Sequence, residues 1–262
     1  MNVTTSELRI QDDAHVRTLT IDRPDRSNAL SRSLMTEMVE ALLSAMEDPD
    51  VRVVVVTGAG DRSFCAGADL KDIGGDDAAA ARFRDPMHRP QRSIFEVLSE
   101  TYKPTIAAMN GHAVGGGFEL ALACDLRIVS ETAKLGLPEA KRGMAANYGT
   151  VVLPRLAPPA IAYEMLFTGE YITAADAARW GLVNAVVPPD QVRTTAAALA
   201  RRIAANAPLT LRRMKETAVK GWSLPLAAAL RLEAGPDPYL SEDRKEGIRA
   251  FLEKRDPRWQ GR

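Results

Sequence analysis

The hydrophobic positions of the chain form short continuous runs and longer stretches with helical spacing. Val53–Val56 is an unbroken β-branched run, which is typical of a strand buried on both faces. Similar patterns predict strands over 16–21, 105–109 and 126–129. After the strand 16–21, Ser31 is placed to cap a helix whose apolar residues recur every three or four positions: Leu34, Met35, Met38, Val39, Leu42 and Met46.

Glycine-rich turns follow the two central strands. Gly58-Ala59-Gly60 ends the run Val53–Val56, and Gly115-Gly116-Gly117 leads into a helix predicted over Phe118–Ala123. Since the order of strand, glycine-rich turn and helix recurs, we predict an α/β fold with functional sites at the turns between strands and helices.

The strand patterns end near residue 190. From there the apolar spacing, interrupted by prolines, predicts four helices over 191–207, 209–220, 224–233 and 241–254. We therefore expect a core over residues 1–200 that carries the site, and a helical region over 201–262 that serves oligomerisation.

Composition excludes several classes of protein. The 262 residues are 46% hydrophobic and 26% charged, and 34 basic residues balance 34 acidic ones, which argues against a nucleic-acid-binding protein. Cys65 and Cys124 are too few for a disulfide framework or a zinc cage and indicate a reducing compartment. No signal-peptide pattern opens the chain, and no apolar run reaches the ~20 residues of a membrane helix. We expect a cytoplasmic protein that binds neither membrane nor nucleic acid.

Familiar nucleotide-binding and hydrolase motifs do not fit. The segment 58–63 lacks the third glycine of a dinucleotide-binding loop, so a dehydrogenase is a weak alternative and we expect no NADH binding in a titration. Neither a phosphate-binding G-x-x-x-x-G-K-[ST] loop nor a G-x-S-x-G elbow occurs. The positions of His, Asp and Glu indicate no metal site.

Two stretches have unusual backbone requirements. Within Ser63–Lys71, small residues at 66–68 allow a ligand to approach the backbone, although a tight connection has the same requirement. The glycines 115–117 lie at a helix N-terminus, where the N–H groups and the helix dipole favour an anion. Close packing of helix on strand is the alternative, but it accounts for one glycine better than for three.

Two glutamates stand in apolar surroundings, Glu119 beside Phe118 and Leu120, and Glu139 after Leu137-Pro138. Burial of a carboxylate raises its pKa, which suits proton transfer near neutral pH. For each residue taken alone, an ordinary surface or ion-paired glutamate is the alternative.

Together these stretches resemble the crotonase superfamily, also called the enoyl-CoA hydratase/isomerase superfamily, over almost the whole chain. The motifs, in the family's order, are Arg23-Pro24 with Asn28-Ala29-Leu30, Cys65–Leu70, Asn110–Asp125, Leu137–Gly143, Thr168-Gly169 with 174–184, and Phe251–Arg255. The carnitinyl-CoA dehydratase branch is similar over Gly117–Ala123, Pro158–Ile161 with Glu164-Met165, and Arg255–Arg262.

The resemblance implies a spiral of ββα units with a C-terminal helical trimerisation region, assembled as a trimer or a dimer of trimers. It implies that the amides of Ala68 and Gly116 form an oxyanion hole for a thioester. By the same resemblance, Glu119 activates a water molecule and Glu139 exchanges the proton of the α-carbon. No prosthetic group is implied, because coenzyme A enters as part of the acyl-CoA substrate.

The resemblance also places coenzyme A contacts. Beside Ala68 and Gly116, the matching positions near the first oxyanion loop are Arg26, Ala66, Asp69, Leu70 and Lys71. Phe251 and Lys254 match C-terminal positions that approach the coenzyme, often from a neighbouring subunit. Plain surface charge is the alternative for the two lysines.

The implied reaction is the reversible syn addition of water to a 2-enoyl-CoA thioester, giving a 3-hydroxyacyl-CoA. The pair of glutamates is the main argument for it. The alternatives are another crotonase reaction, namely carnitinyl-CoA-like dehydration, double-bond isomerisation, decarboxylation or C–C hydrolysis, and a non-catalytic relative that binds acyl-CoA.

Two departures from the family pattern leave the acyl group open. Ala146 and Thr150 replace a proline and a glycine that are common in hydratases. Asn147 and Tyr148, which lie between these two positions in the sequence, either hydrogen-bond to a polar acyl chain or pack against the protein. The variable segment 74–92 is basic. Its basic side chains either contact a carboxylated acyl group or the coenzyme phosphates, or lie on a solvated helix face. They are Arg82, Arg84, His88, Arg89 and Arg92.

Overall fold

The computed structural model describes residues 6–73 and 92–262. Six strands of the described chain form the larger sheet, in the order β1 (Leu8–Asp13), β2 (Val16–Ile21), β3 (Val53–Gly58), β5 (Thr105–Met109), β7 (Leu126–Ser130) and β10 (Ala185–Val187). β1 pairs antiparallel with β2, and the other neighbours are parallel. All four predicted strands are confirmed. β1 was not predicted because it is an edge strand whose residues after Leu8 are exposed, so it shows no apolar pattern.

A second, smaller sheet contains β4 (Ser63–Cys65), β6 (His112–Val114), β8 (Lys134–Gly136) and β9 (Ile172–Thr173). β4, β6 and β8 each follow a strand of the larger sheet after a few residues, so the pairs β3/β4, β5/β6 and β7/β8 repeat along the chain. These repeats are the ββα units that the resemblance implied, and they confirm the α/β fold class. Strands of two or three residues are too short for a hydrophobic period to reveal them.

The helices surround these sheets. Their bounds are α1 (Arg32–Glu47), α2 (Leu70–Ile73), α3 (Ile94–Glu100), α4 (Gly116–Ala123), α5 (Asn147–Leu156), α6 (Pro159–Thr168), α7 (Ala174–Arg179), α8 (Val192–Ala204), α9 (Pro208–Gly221), α10 (Leu226–Ala229) and α11 (Glu242–Glu253). Short 3-10 helices lie at Pro24–Arg26, Pro138–Arg142, Pro189–Gln191 and Pro238–Leu240. The predicted cap is confirmed, since the Ser31 side chain accepts a hydrogen bond from the Leu34 amide.

One predicted helix is wrong in length. The pattern over 224–233 forms helix only at Leu226–Ala229, and this short helix buries none of its residues. The helix begins after Pro225, its N-cap, because a proline fits the start of a helix but not its interior. The predicted boundary at residue 200 stays a prediction.

The run Val53–Val56 is buried on both faces, as predicted. Val54 and Val56 belong to the main core with α1, whereas Val53 and Val55 belong to a second cluster on the opposite face of the sheet. In that second cluster α8 contributes Val192, Ala196, Ala200 and Ala204. The alternation places successive side chains on opposite faces, and both faces are covered.

Two buried asparagines hold the connection between β3 and β4. Asn28 Nδ2 donates to the carbonyls of Ala59 and Ser63 at 2.9 and 2.7 Å. Asn110 Nδ2 donates to the carbonyl of Gly60 at 3.0 Å. Buried carbonyls need hydrogen-bond partners. The side-chain amides of the two asparagines supply these partners to the carbonyls of the turn. The chain therefore enters β4, and the loop after it, in a defined position.

No helix in the part of the chain that the structure describes is long and apolar enough to cross a bilayer. Residues 6–73 and 92–262 contain no cluster of three side chains suited to a metal ion. Of the basic segment 74–92, Arg92 is described and forms an ion pair with Glu100. The predictions for Arg82, Arg84, His88 and Arg89 lie outside the described residues.

We expect Gly117→Ala to destabilise the fold by about 2–4 kcal/mol, because a Cβ at residue 117 would lie 2.0 Å from the Cys65 carbonyl oxygen, a backbone atom of β4. Urea unfolding followed by circular dichroism measures the change. Gly221→Ala in α9 is the control, since its Cβ would meet only Ala229 Cβ at 3.5 Å, and its stability should stay equal or rise. Equal unfolding midpoints for Gly117→Ala and the unsubstituted protein would refute the contact.

Candidate active site

The structure gives a different reason for a glycine at each of the three consecutive positions 115–117. Gly117 is required by packing, since any side chain there would collide with Cys65 of β4. Gly115 has φ 56° and ψ −130°, a conformation that L side chains rarely adopt, and its Cβ would lie 2.9 Å from Glu139 Oε1. Close packing, the alternative weighed from the sequence, therefore explains Gly117 but not the whole motif.

Gly116 differs from Gly115 and Gly117, because neither packing nor backbone conformation requires a glycine there. A Cβ at this position would have its nearest atoms at 3.6 Å, and these are the Ala68 amide nitrogen, Gly67 Cα and Phe95 Cζ. Ordinary van der Waals contact would result, so the protein itself does not demand glycine here. The space bordered by these atoms is instead available to a ligand that approaches the backbone.

The amides of Ala68 and Gly116 lie side by side at this space. The residues that flank Ala68 are held to Leu30, whose amide donates to the Gly67 carbonyl at 2.8 Å and whose carbonyl accepts from the Asp69 amide at 2.9 Å. Within residues 6–73 and 92–262, neither the Ala68 nor the Gly116 amide donates a hydrogen bond. Two unpaired N–H groups beside a helix N-terminus are suited to an oxygen that carries negative charge.

Glu119 lies one turn into α4 and is 5% exposed, so the alternative of an ordinary surface glutamate is wrong for this residue. Its Oε1 accepts a hydrogen bond from the Gly149 amide at 2.7 Å. Burial raises the pKa of the Glu119 carboxyl and the negative charge of Glu139 raises it further, while the Gly149 hydrogen bond opposes both. The carboxyl is therefore held in one orientation and keeps its proton to higher pH than an exposed glutamate.

Glu139 lies in the 3-10 helix Pro138–Arg142 and is half-buried. Burial raises the pKa of its carboxyl, and Arg142 opposes that rise. Its Oε2 atom is buried and has no hydrogen-bond partner among the described residues. Because an unpaired buried carboxylate oxygen is costly, this atom marks a place for a ligand, a water molecule or a proton.

The two glutamates therefore lie close to the same space as the amides. Glu139 Oε1 lies beside Gly115, the residue before the Gly116 amide, and the charge of Glu139 acts on Glu119. The structure brings together all four residues that the sequence analysis assigned to catalysis.

The predicted coenzyme positions of the first loop lie at the surface beside this space. Ala66, Leu70 and Lys71 are exposed, as is Arg26. Their exposure leaves room for a large polar ligand next to the two amides.

Asp69 has a structural partner. Its Oδ2 accepts from Arg23 Nη2 at 2.9 Å and its Oδ1 accepts from the Lys71 amide at 3.2 Å. The hydrogen bond from Arg23 lowers the pKa of the Asp69 carboxyl, and the charge of Arg26 acts in the same direction. The Asp69 side chain therefore holds the loop in place, and Arg26 lies near it.

Phe251 and Lys254 lie at the end of α11, and both are exposed. Lys254 caps the helix in a left-handed conformation, with φ 53°. Among the described residues, no hydrogen bond or ion pair joins either side chain to the loop 66–71. The contacts of the described residues therefore do not place these two residues with the other predicted coenzyme positions.

Two residues of the site were missed from the sequence. Gly149 is the backbone donor to Glu119, and the only signal for it was its place in the family motif 143–150. Phe95 borders the Gly116 space from α3, and its ring centroid lies 5.8 Å from that of Tyr148. No motif marks Phe95, since it follows the variable segment 74–92.

Comparisons with known proteins agree with one another on the family of this chain. Residues 11–262 match the family described as Enoyl-CoA hydratase/isomerase. The (E)-benzylidenesuccinyl-CoA hydratase of Thauera aromatica is 42% identical over 252 residues, which are 94% of this chain and 96% of that protein. A carnitinyl-CoA dehydratase of Salmonella agona is 41% identical over 251 residues, 93% and 94% of the two chains.

Solved structures show the same fold. The crystal structure of an enoyl-CoA hydratase from Bacillus anthracis superposes with a TM-score of 0.90 at 38% identity, over 98% of this chain and all of that one. An enoyl-CoA hydratase from Mycobacterium tuberculosis gives 0.85 at 34% identity, over 98% and 99% of the two chains. With relatives this similar along the whole length, and with paired amides and two carboxyls in one place, the chain belongs to the enoyl-CoA hydratase/isomerase family of the crotonase superfamily, with hydratase or dehydratase activity on acyl-CoA.

Proposed function

We propose that this protein is an enoyl-CoA hydratase that adds water reversibly and syn across the double bond of a 2-enoyl-CoA, giving a 3-hydroxyacyl-CoA. The observation that carries the proposal is the placement of two carboxyls with raised pKa, Glu119 and Glu139, beside two unpaired backbone amides. A site for thioester enolates needs the amides, and hydration needs the two proton-transfer groups as well.

The amides of Ala68 and Gly116 would donate to the thioester oxygen. Negative charge develops on that oxygen when a nucleophile adds to the β-carbon, so the two hydrogen bonds strengthen in the transition state. Loss of one such donor typically costs about 3–4 kcal/mol of transition-state stabilisation. Since both donors belong to the backbone and are fixed by the fold, no reorganisation is needed during the reaction.

In this scheme Glu119 is ionised and Glu139 carries a proton. Glu119 takes a proton from water as the water oxygen adds to the β-carbon, and Glu139 gives its proton to the α-carbon. Burial disfavours two negative charges in this space, which supports one shared proton for the pair. The same groups acting in reverse dehydrate a 3-hydroxyacyl-CoA.

The coenzyme A part of the substrate would lie along the loop 66–71, with the charges of Arg26 and Lys71 toward its phosphates. Backbone of Ala66, Asp69 and Leu70 would contact the pantetheine and adenine portions. Phe251 and Lys254 would reach the coenzyme from a neighbouring copy, as the family resemblance implies, and both are exposed at the end of α11, where another chain could approach them. The substrate brings the coenzyme with it, and the proposal involves no prosthetic group.

Hydration is favoured over the other crotonase reactions by the relatives as well as by the paired glutamates. The relatives named above carry the names hydratase and dehydratase, and both names describe the exchange of water with an acyl-CoA. Product analysis distinguishes isomerisation, decarboxylation and C–C hydrolysis, and a non-catalytic acyl-CoA-binding protein would form no product at all.

Substitution of either glutamate by glutamine should slow hydration of crotonyl-CoA by about 100-fold or more, because each substitution removes a proton-transfer group while keeping the shape of the site. Loss of the conjugated enoyl thioester absorbance measures the rate. Glu131→Gln, at an exposed glutamate after β7, is the matched control and should keep the full rate. Hydration at an undiminished rate in both Glu119→Gln and Glu139→Gln would rule out this scheme.

Gly116→Ala should abolish catalysis without loss of stability. Its methyl group would fill the space beside the Ala68 amide, yet it would make only ordinary contacts at 3.6 Å with the protein. We expect kcat/KM for crotonyl-CoA to fall about 100-fold or more, with an unfolding midpoint equal to or above that of the unsubstituted protein. If the variant keeps its activity, the thioester oxygen does not bind between these amides.

We propose that the chain self-associates through its C-terminal helices as a trimer or a dimer of trimers. α9 and α10, both fully described, bury no residue within one chain. Large apolar side chains of this region are left 74–83% exposed, namely Leu226, Leu230, Leu240, Phe251 and Leu252. Apolar surface concentrated in this way is typical of an interaction face.

Sedimentation velocity should give three or six times the mass of one chain. The double substitution Leu230→Asp with Leu240→Asp should shift the mass toward a monomer, since it places charge on the apolar face. Leu43→Asp, at an exposed leucine of α1, is the control and should leave the assembly intact. A monomer at micromolar concentration in the unsubstituted protein would disprove the assembly.

A further inference from the structure

We infer that the acyl pocket of this site is built to hold an aromatic ring on the β-carbon side of the substrate, with Phe95 and Tyr148 as the residues that select it. The inference deepens the proposed function and rests on it. Phe95 is half-buried in α3, and its Cζ lies 3.6 Å from the Cβ position of Gly116. The Ala68 amide nitrogen lies at the same distance from that position, so the Phe95 ring borders the space of the two amides.

Tyr148 lies beside Phe95 and is half-buried as well. The two ring centroids are 5.8 Å apart with an interplanar angle of 31°. Tyr148 directly precedes Gly149, whose amide holds Glu119, and the Tyr148 backbone also acts on that carboxyl. The ring pair is therefore linked to both parts of the site, through Phe95 to the position between the two amides and through the Tyr148 backbone to Glu119.

Polar groups of the protein lie near the Tyr148 phenol. Burial raises the pKa of the Tyr148 phenol, and its polar neighbours are the Ser99 side chain of α3, Arg127 and Asp125. Of the two roles left open by the sequence, packing is therefore favoured over hydrogen bonding to a polar acyl chain. Both rings pack against the main hydrophobic core but are only half-buried, so each keeps part of its surface accessible.

A flat aromatic substituent gains more from such a pair of rings than an aliphatic one of the same size. Offset-stacked or edge-to-face aromatic contacts stabilise beyond the area that they bury, which corresponds to roughly 2- to 12-fold in affinity. The chemical class is therefore a 3-aryl-2-enoyl-CoA thioester and its hydrated counterpart.

Calorimetric titration with two saturated analogues tests the inference independently of reactivity. The probes are 3-phenylpropanoyl-CoA and 3-cyclohexylpropanoyl-CoA, which share the coenzyme, the chain length and a six-membered ring. We expect the phenyl analogue to bind at least 3-fold more tightly. Phe95→Leu and Tyr148→Leu should each bring the ratio of the two dissociation constants toward one, whereas Tyr148→Phe should keep it.

A ratio near one in the unsubstituted protein, or a ratio unchanged by both leucine substitutions, would overturn the inference. Hydration of crotonyl-CoA by the same preparations reports on the proposed function separately. If the protein hydrates crotonyl-CoA but the ratio of the two dissociation constants is near one, the proposed function holds and the inference of an aryl pocket is wrong. If the protein clearly prefers the phenyl analogue but hydrates no enoyl-CoA, the aryl pocket holds and the proposed function is wrong.

Discussion

The rest of the site depends on the close approach of the first turn of α4 to strand β4. Only at a glycine can the helix backbone come this near, since a Cβ at Gly117 would lie 2.0 Å from a carbonyl oxygen. This contact sets the Gly116 amide beside the Ala68 amide at the start of the next loop. It also sets the direction of α4, and with it the position of Glu119 one turn further on. A single packing contact thus positions one oxyanion donor and one carboxyl together.

The electrostatic balance of the site follows from burial. Two carboxyls share this space, and neither forms an ion pair within residues 6–73 and 92–262, although the charge of Arg142 acts on Glu139. Such a site is costly for the free protein, and the unpaired Oε2 of Glu139 is a direct sign of that cost. Raised pKa values also suit groups that exchange protons near neutral pH. The two amides, which no described residue pairs, are suited to an oxygen that carries negative charge.

The two halves of the molecule differ in how far one chain satisfies its own packing. The core over the two sheets buries both faces of β3 and holds its connections with Asn28 and Asn110. The region after α8 leaves large apolar side chains exposed, including Phe251, which the family resemblance assigns to the coenzyme. The self-association proposed above would cover this exposed apolar face.

Local signals in the sequence were sufficient for much of this protein. The valine run of β3, the Ser31 cap and the apolar period of α1 determine their elements because each depends on neighbours in the chain. The motifs identified both glutamates and both amides because their residue types are unusual for their positions. The three-residue strands and the second sheet depend instead on which surfaces become buried, and no local pattern carries that information. Only the tertiary structure decided which glycine serves packing and which leaves room for a ligand, and that Phe95 stands beside Gly116. These relations join segments far apart in the chain, and their distances are set by packing rather than by residue type.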